Sequence, residues 1–271
     1  MPELPEVEIT RRGIAPHITG SRITGITVRE SRLRWPIPPE LEHRIYGQRI
    51  DSVERRGKYL LLRTTAGTLI LHLGMSGSLR ILNPKEPARR HDHLDLLFDN
   101  NHCLRLRDPR RFGAVLWTES DPLTHRLLVK LGPEPLEKGF DGNYLYDCAR
   151  GRRIAVKTLI MDNRVVVGVG NIYACESLFL AGIHPFRPAG RISRARYQKL
   201  ATAIRHTLTQ AITAGGTTLR DFFSTDGRPG YFQQQLQVYG HVGKPCPRCH
   251  TPIRQARQAR RSTFYCSHCQ T

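Results

Sequence analysis

The chain lacks any run of eighteen consecutive apolar residues, so no transmembrane helix is expected. It also lacks a basic segment followed by an apolar one at its start. Met1-Pro-Glu-Leu-Pro-Glu-Val-Glu8 is acidic and prolyl, which excludes a secretion signal. Acidic residues are few: 23 Asp and Glu stand against 42 Lys and Arg, a formal charge of +19. The pI lies near 10.3. Such an excess selects polyanionic partners, nucleic acid first and an anionic membrane second. No internal repeat or low-complexity tract is present. The cysteine count is seven, odd, with four near the C-terminus and Cys103, Cys148 and Cys175 isolated. An odd number without a signal argues against a disulfide framework and points to a reducing cytoplasm.

What is present suffices for a folded protein. Apolar residues make up 39% of 271, a length that suggests two domains. Arginine dominates the basic set, in Arg11-Arg12, Arg55-Arg56, Arg110-Arg111, Arg152-Arg153 and Arg260-Arg261. Its planar fork suits phosphate and guanine-type edges.

The first half has the period of strands: 22–28, 49–54, 59–63, 68–73, 78–82, 94–98, 103–107 and 114–117, separated by Gly and Asn turns. That spacing predicts a β-sandwich or barrel, preceded by a helix from Pro5 to about Ile14. The second half changes to a helical period, over 123–131, 144–150, 154–161, 171–181 and 193–213. In the last, Tyr197, Leu200, Ile204, Leu208 and Ile212 form one core stripe, stopped by Gly215-Gly216. Gly132-Pro-Glu-Pro135 reads as the linker. The polar, Gly-rich stretch 217–230 reads as a mobile loop.

The strongest motif is Cys246-Pro-Arg-Cys249, sixteen residues, then Cys266-Ser-His-Cys269. Four thiolates so spaced predict a closed tetrahedral zinc site, structural because no coordination position stays open. Two redox pairs or disulfides are the alternative, and His268 is a rival ligand that a complete four-Cys set leaves exposed. Residues 251–265 between the pairs would form a β-hairpin carrying Arg257, Arg260 and Arg261. A tail of this size buries little core, so the metal supplies its folding energy.

Pro2 follows Met1, and a small second residue normally permits removal of the initiator. The new terminus would be a secondary amine of lower pKa than lysine, a nucleophile near neutral pH. Attack on a sugar C1′ gives an iminium that acidifies the C2′ proton and promotes β-elimination. Many proteins begin Met-Pro, so Pro2 alone says little. Glu3 beside it is a candidate general acid. Glu6 and Glu8 suit the first turn of a helix.

Pro2 to Glu8, Gly57-Lys-Tyr-Leu60, His72-Leu-Gly-Met-Ser-Gly77, Asp108-Pro-Arg-Arg-Phe-Gly113, Gly168-Val-Gly-Asn-Ile-Tyr-Ala174 and the four-Cys tail together resemble the formamidopyrimidine-DNA glycosylases. The matches run in order over essentially the whole chain. Leu4 and Val7 resemble this branch more than the sister endonuclease VIII branch. The resemblance implies an α+β multidomain fold. Its parts would be a catalytic β-sandwich with a leading helix (1–132), a linker (133–137), a helix–two-turn–helix domain (138–235) and a zinc finger (236–271). The loop 217–231, with Gly227, Pro229 and Gly230 as hinges, would close over an everted lesion. It implies a bifunctional glycosylase and abasic-site lyase of base-excision repair. The enzyme would act on oxidised purines in duplex DNA as a monomer with one zinc, in a bacterial-type cytoplasm at the nucleoid.

By the same resemblance, Pro2 forms the Schiff base, Glu3 protonates, Lys58 is the acid and base of β-elimination, and Arg261 serves phosphate contact and δ-elimination. Without the motif, Lys58 would read as a strand-edge surface lysine. Met75, Arg110 and Phe112 fall where the residues that refill the vacated stack lie. An everted base leaves a hole that a thioether, an aromatic wedge and a guanidinium can fill. Met75 and Phe112 could equally be core, although their Gly-flanked turns favour exposure. His72, His91, Arg153, Lys157 and Asn171 fall at DNA-contact positions, Asn171 opening a helix behind Gly168 and Gly170. His93 reads as a strand-end histidine, and Arg111 has no assigned role. Cys175 departs from the Ser or Asn common among relatives. Two other readings stay open: an enzyme of this fold that prefers oxidised pyrimidines, and a catalytically silent zinc-ribbon DNA binder.

Overall fold

The computed structural model describes residues 2–216 and 235–271. The loop expected over 217–231 therefore lies outside the described residues. The described residues form two compact units, 2–130 with 214–216, and 131–213 with 235–271.

The first unit opens with α1 (Leu4–Ile18), whose N-cap is Glu3. Pro5 sits in the first turn, where its missing N–H costs nothing, since those N–H groups have no helical partner. The helix runs one turn further than the expected end near Ile14. Pro16 lies in the last turn, and the burial of Ile14 and Ile18 outweighs its lost hydrogen bond.

Eight strands follow: β1 (Ile23–Val28), β2 (Ser52–Arg56), β3 (Tyr59–Thr64), β4 (Gly67–His72), β5 (Ser78–Leu82), β6 (Asp92–Phe98), β7 (Cys103–Arg107) and β8 (Ala114–Thr118). They pair antiparallel into two four-stranded sheets, ordered β1-β6-β7-β5 and β2-β3-β4-β8. Alternating residues such as Leu60 and Leu62, Leu69 and Leu71, and Leu94 and Leu96 join one core with Val7, Ile14 and Ile18 of α1. This is the expected sandwich with its leading helix. A short helix, α2 (Leu41–Ile45), was not anticipated, because five residues carry too little period to read.

The second unit contains α3 (Gly142–Ala149), α4 (Val156–Ile160), α5 (Asn171–Leu180), α6 (Arg194–Thr213) and a hairpin of β9 (Arg254–Gln258) with β10 (Arg261–Tyr265). Asp141 caps α3 by accepting from Tyr144 N at 2.7 Å. The stripe of α6 is buried from Tyr197 to Ile212 as its period requires. The helix expected over 123–131 does not form. Only a single 3-10 turn, Pro122–Thr124, and successive turns occur there. Of its apolar residues, Leu128 is buried while Leu123 and Val129 are exposed, so no packed face holds a helix together. Among the described residues no helix is long and apolar enough to cross a membrane.

Glu8 ties α1 to the sheet. Its carboxylate accepts from Arg11 and Arg12 at 2.8 Å and from Arg55 of β2 at 3.1 Å. Burial pushes its pKa up, but the hydrogen bonds of Arg11 and Arg12 and the charge of Arg55 prevail and hold it at about 2. A depressed carboxylate contributes stability above its unfolded value of 4.5 and loses it as pH falls through 2. Glu8→Gln is therefore expected to lower the unfolding free energy at pH 7 by about 3 kcal/mol. In urea melts, the gap to the parent should close as the pH falls from 4.5 toward 2; a gap independent of pH contradicts this ion cluster.

Candidate functional site

The N-terminal constellation begins at the helix cap. Glu3 N–H donates to Glu6 Oε2 at 2.8 Å, and the Glu3 side chain accepts in return from the first-turn backbone, a reciprocal capping box. Pro2 is buried and Glu3 is 2% exposed, so both residues ahead of the helix are packed. Glu6 thus has the helix-start role expected of it. Gly216, at φ 84, packs beside it: a Cβ there would lie 3.4 Å from Glu6 Oε1.

Lys58 occupies the two-residue turn Gly57-Lys58 between β2 and β3, where Arg56 pairs with Tyr59. Gly57 takes φ 58, which a glycine adopts without strain. The turn leaves Lys58 half-buried, near His72 of β4. His72 Nδ1 accepts from Gly74 N–H at 3.0 Å, which leaves the proton on Nε2, and the Tyr59 ring lies 4.7 Å away. Burial, with the cations Lys58 and Arg34, pushes the His72 pKa down to about 4, so the ring is neutral at pH 7.

Two loops project from the same unit. Met75, half-buried, lies in the turn between β4 and β5. Arg110 and Phe112 lie exposed between β7 and β8, Phe112 at 42%. The Arg110 guanidinium stands 5.0 Å over the Phe112 ring. Arg111, at φ 57, turns to Glu30, which it meets at 3.0 Å. His91, at φ 74, ends a loop that buried Arg105 pins through the carbonyls of Glu86 and Pro87 at 3.0 and 3.1 Å. Partial desolvation and the cations Arg90, Arg107 and Arg111 lower the pKa of His91. His93 is buried, its Nε2 2.8 Å from Asp108 O, as its strand-end reading anticipates.

The second unit gathers its own set. Lys157 of α4 is 2% exposed and donates to Thr263 Oγ1 at 2.7 Å and Ser262 O at 3.2 Å. Asn171, first residue of α5, donates to the same Ser262 carbonyl at 2.9 Å. Gly170 caps α5 without a side-chain acceptor, and Gly168 holds φ 81, so the helix start is presented by backbone alone. Arg261 is exposed beside Ser262, at the foot of a two-residue turn. Ala259 and Arg260 both take positive φ there, where Asn-Gly is the usual choice; each such residue costs about 1–3 kcal/mol. Lys157, Asn171 and the Arg261 hairpin therefore converge. Arg153 lies exposed just before α4 and makes no hydrogen bond to that cluster.

The four cysteines close the hairpin. All their sulfurs lie within 4.8 Å of one another, with Cys246 to Cys269 at 3.9 Å and Cys249 to Cys266 at 3.5 Å. A tetrahedron of Zn–S bonds of about 2.3 Å sets sulfurs roughly 3.8 Å apart, so the set fits one structural zinc. His268 is exposed and outside the set. Cys175 is buried against this module, with Phe179, Val238 and Phe264.

Sequence reasoning missed two residues that hold the site together. Glu176 accepts from the backbone N–H groups of Gln237, Val238 and Tyr239 at 3.0, 3.0 and 2.8 Å; burial raises its pKa against those bonds. Its signal was present: one acid in an otherwise uncharged, largely apolar helix. Buried Asp108 was read only as part of a motif.

Comparison with known proteins covers the whole chain. Residues 1–115 match the formamidopyrimidine-DNA glycosylase N-terminal domain, 131–223 the formamidopyrimidine-DNA glycosylase H2TH domain, and 243–271 a zinc finger found in FPG and IleRS. Formamidopyrimidine-DNA glycosylases of Alkalilimnicola ehrlichii and Stutzerimonas stutzeri are each 60% identical, with all of both chains covered. The fold matches the Lactococcus lactis Fpg protein in complex with abasic-site DNA, at 34% identity and TM-score 0.92 over 99% of each chain. It also matches the Thermus thermophilus protein, at 38% identity and TM-score 0.88 over 99% of this chain and 98% of that one.

Stripping the metal with a thiol reagent and chelator should release one zinc per chain. It should also open the 254–265 hairpin to trypsin at Arg257, Arg260 and Arg261, and abolish DNA binding. Unchanged binding by a verified zinc-free protein would contradict the structural role.

Proposed function

Since the chain belongs to the formamidopyrimidine-DNA glycosylase family, a family of glycosylases and abasic-site lyases, we propose that it excises oxidised purines, 8-oxoguanine and formamidopyrimidines, through a Schiff base on Pro2. It is a DNA glycosylase of base-excision repair, with DNA as its partner. The observation that supports the finer reading is the packed segment ahead of α1: Pro2 is buried directly before a capping box, with Glu3 buried beside it.

The chemistry follows from those groups. Removal of Met1 frees the Pro2 amine, which is nucleophilic near neutral pH because its pKa lies below that of lysine. The amine attacks C1′, the bond from C1′ to the base breaks, and the base leaves with the proton that the attacking nitrogen sheds. Glu3 donates to the sugar ring oxygen, which opens as the iminium forms. Lys58 takes the C2′ proton, and the 3′ phosphate leaves in β-elimination. The neutral His72 adds no second charge beside that amine. Arg261 holds the remaining phosphate as it departs in δ-elimination, leaving a one-nucleotide gap.

Binding is assigned to two surfaces. Lys157, Asn171 and Arg261 form a phosphate cradle, since Lys157 and Asn171 both bond Ser262, at the start of a helix without a side-chain cap, and Arg261 precedes Ser262 and lines one cavity with Lys157. His72, His91 and Arg153 contact the backbone elsewhere. Met75, Arg110 and Phe112 fill the vacated stack, and Arg110 donates to the acceptor edge of the orphaned cytosine. The sandwich carries the chemistry, and the helical and zinc segments grip the strand.

In competition between an 8-oxoguanine:C duplex and a thymine glycol duplex, the first should be cleaved preferentially, with a one-nucleotide gap as product. Glu3→Gln should slow base release by about 10²-fold or more while still nicking preformed abasic sites. Preference for thymine glycol, or equal loss of both steps, would overturn the assignment.

A further inference from the structure

We propose that Ser76 and Asp108 form a latch that joins the Met75 turn and the Arg110–Phe112 loop into one rigid wedge, with Asp108 as its positioning residue. The proposal rests on the reading that these three side chains enter the duplex.

Asp108 is fully buried, at 0% exposure, and every polar atom it has is engaged, by its own loop and by Ser76, His91 and His93. Its Oδ1 accepts from Ser76 Oγ at 2.7 Å and its Oδ2 from Gly113 N–H at 2.7 Å. Its backbone carbonyl lies 2.8 Å from His93 Nε2 and accepts from Arg111 N–H at 3.1 Å. Its own N–H donates to His91 O at 3.0 Å. Ser76 Oγ in turn accepts from Arg110 N–H at 3.1 Å. One hydroxyl therefore bridges the residue after Met75 and the backbone of Arg110.

The two loops also touch directly. Gly74 takes φ 63, and a Cβ there would fall 2.4 Å from the Phe112 carbonyl carbon. A Cβ on Gly113 would fall 2.9 Å from His72 O. Only bare backbone fits between them, so neither loop moves without the other. The exposed side chains, by contrast, have little to hold them except the Arg110–Phe112 stack.

This arrangement answers an entropic problem. A long thioether and a long guanidinium lose rotamer freedom when they enter a base stack. Fixing their backbones beforehand removes part of that cost and sets all three in one register. A buried carboxylate is suited to the task, because its two oxygens can each hold a different loop at short range. The latch makes the plug and the reader of the opposite base a single unit. Insertion is then concerted.

The test is a duplex with a tetrahydrofuran abasic analogue and 2-aminopurine beside it, whose fluorescence reports unstacking on binding. At saturating protein, Ser76→Ala and Asp108→Asn should each reduce the fluorescence change and slow its appearance about tenfold. The double variant should lose no more than the worse single one, because both break the same link. Ser76→Thr, which restores the hydroxyl, should recover the signal. Met75→Ala is the control for the wedge itself. If Met75→Ala abolishes the change while Ser76→Ala and Asp108→Asn leave it intact, even with lowered Tm, the latch is wrong and the two residues are merely structural. If Met75→Ala leaves the signal intact, the wedge reading fails and the latch loses its purpose with it.

Discussion

The start of the first unit depends on one local device, the reciprocal cap between Glu3 and Glu6 at the head of α1. Chain termini are ordinarily the least ordered part of a domain. Here the helix begins at Leu4, its cap is Glu3, and Glu6 closes the cap from inside the first turn at 2.8 Å. Pro2 directly precedes that cap. Leu4 is buried, Val7 joins the core of the first unit, and Glu8 clamps the helix to β2 through Arg55. The Pro2 nitrogen is thus placed by a helix that is itself bolted to a sheet. Lys58 and His72 come from that same sheet, by way of a tight hairpin and its neighbouring strand.

The second unit solves a different problem, that of fixing a small hairpin and its donors against a helix. The helix α5 acts as its spine. Its start presents Asn171, its middle packs Cys175 and Phe179 against the cysteine module, and Glu176 holds residues 237–239 by three backbone bonds. The zinc hairpin then returns Ser262 to both Lys157 and Asn171. Strain at Ala259 and Arg260 is tolerable because the metal over-determines the hairpin they join. Stability supplied by the ligand set is spent on an awkward tip that carries arginines outward.

Much of this was legible from residues alone. The strand spacing foretold the sandwich, the α6 stripe foretold a buried helix, and two Cys-x-x-Cys pairs foretold the metal site, because each rests on a local period or spacing. The short α2 and the absent helix over 123–131 were not legible. Five residues carry no period, and an apolar pattern makes a helix only where something covers it. At the candidate site, the residues proposed for the chemistry come from the family resemblance, while the contacts that support them were not legible. Asp108 and Glu176 act on partners tens of residues away, and nothing in local sequence announces a contact such as Ser76 to Asp108. Pro2 alone was a poor clue in the sequence; the family pattern around it gave it a proposed role, and the structure adds the cap directly behind it.

The central claim is that the Pro2 nitrogen forms the covalent link to DNA. The most direct measurement is the mass of the N-terminal peptide after borohydride reduction of the protein reacting with an 8-oxoguanine:C duplex. The account predicts a peptide that lacks Met1 and carries the reduced sugar remnant on Pro2. An adduct on Lys58 or another amine, an active protein that retains Met1, or no adduct at all would contradict it.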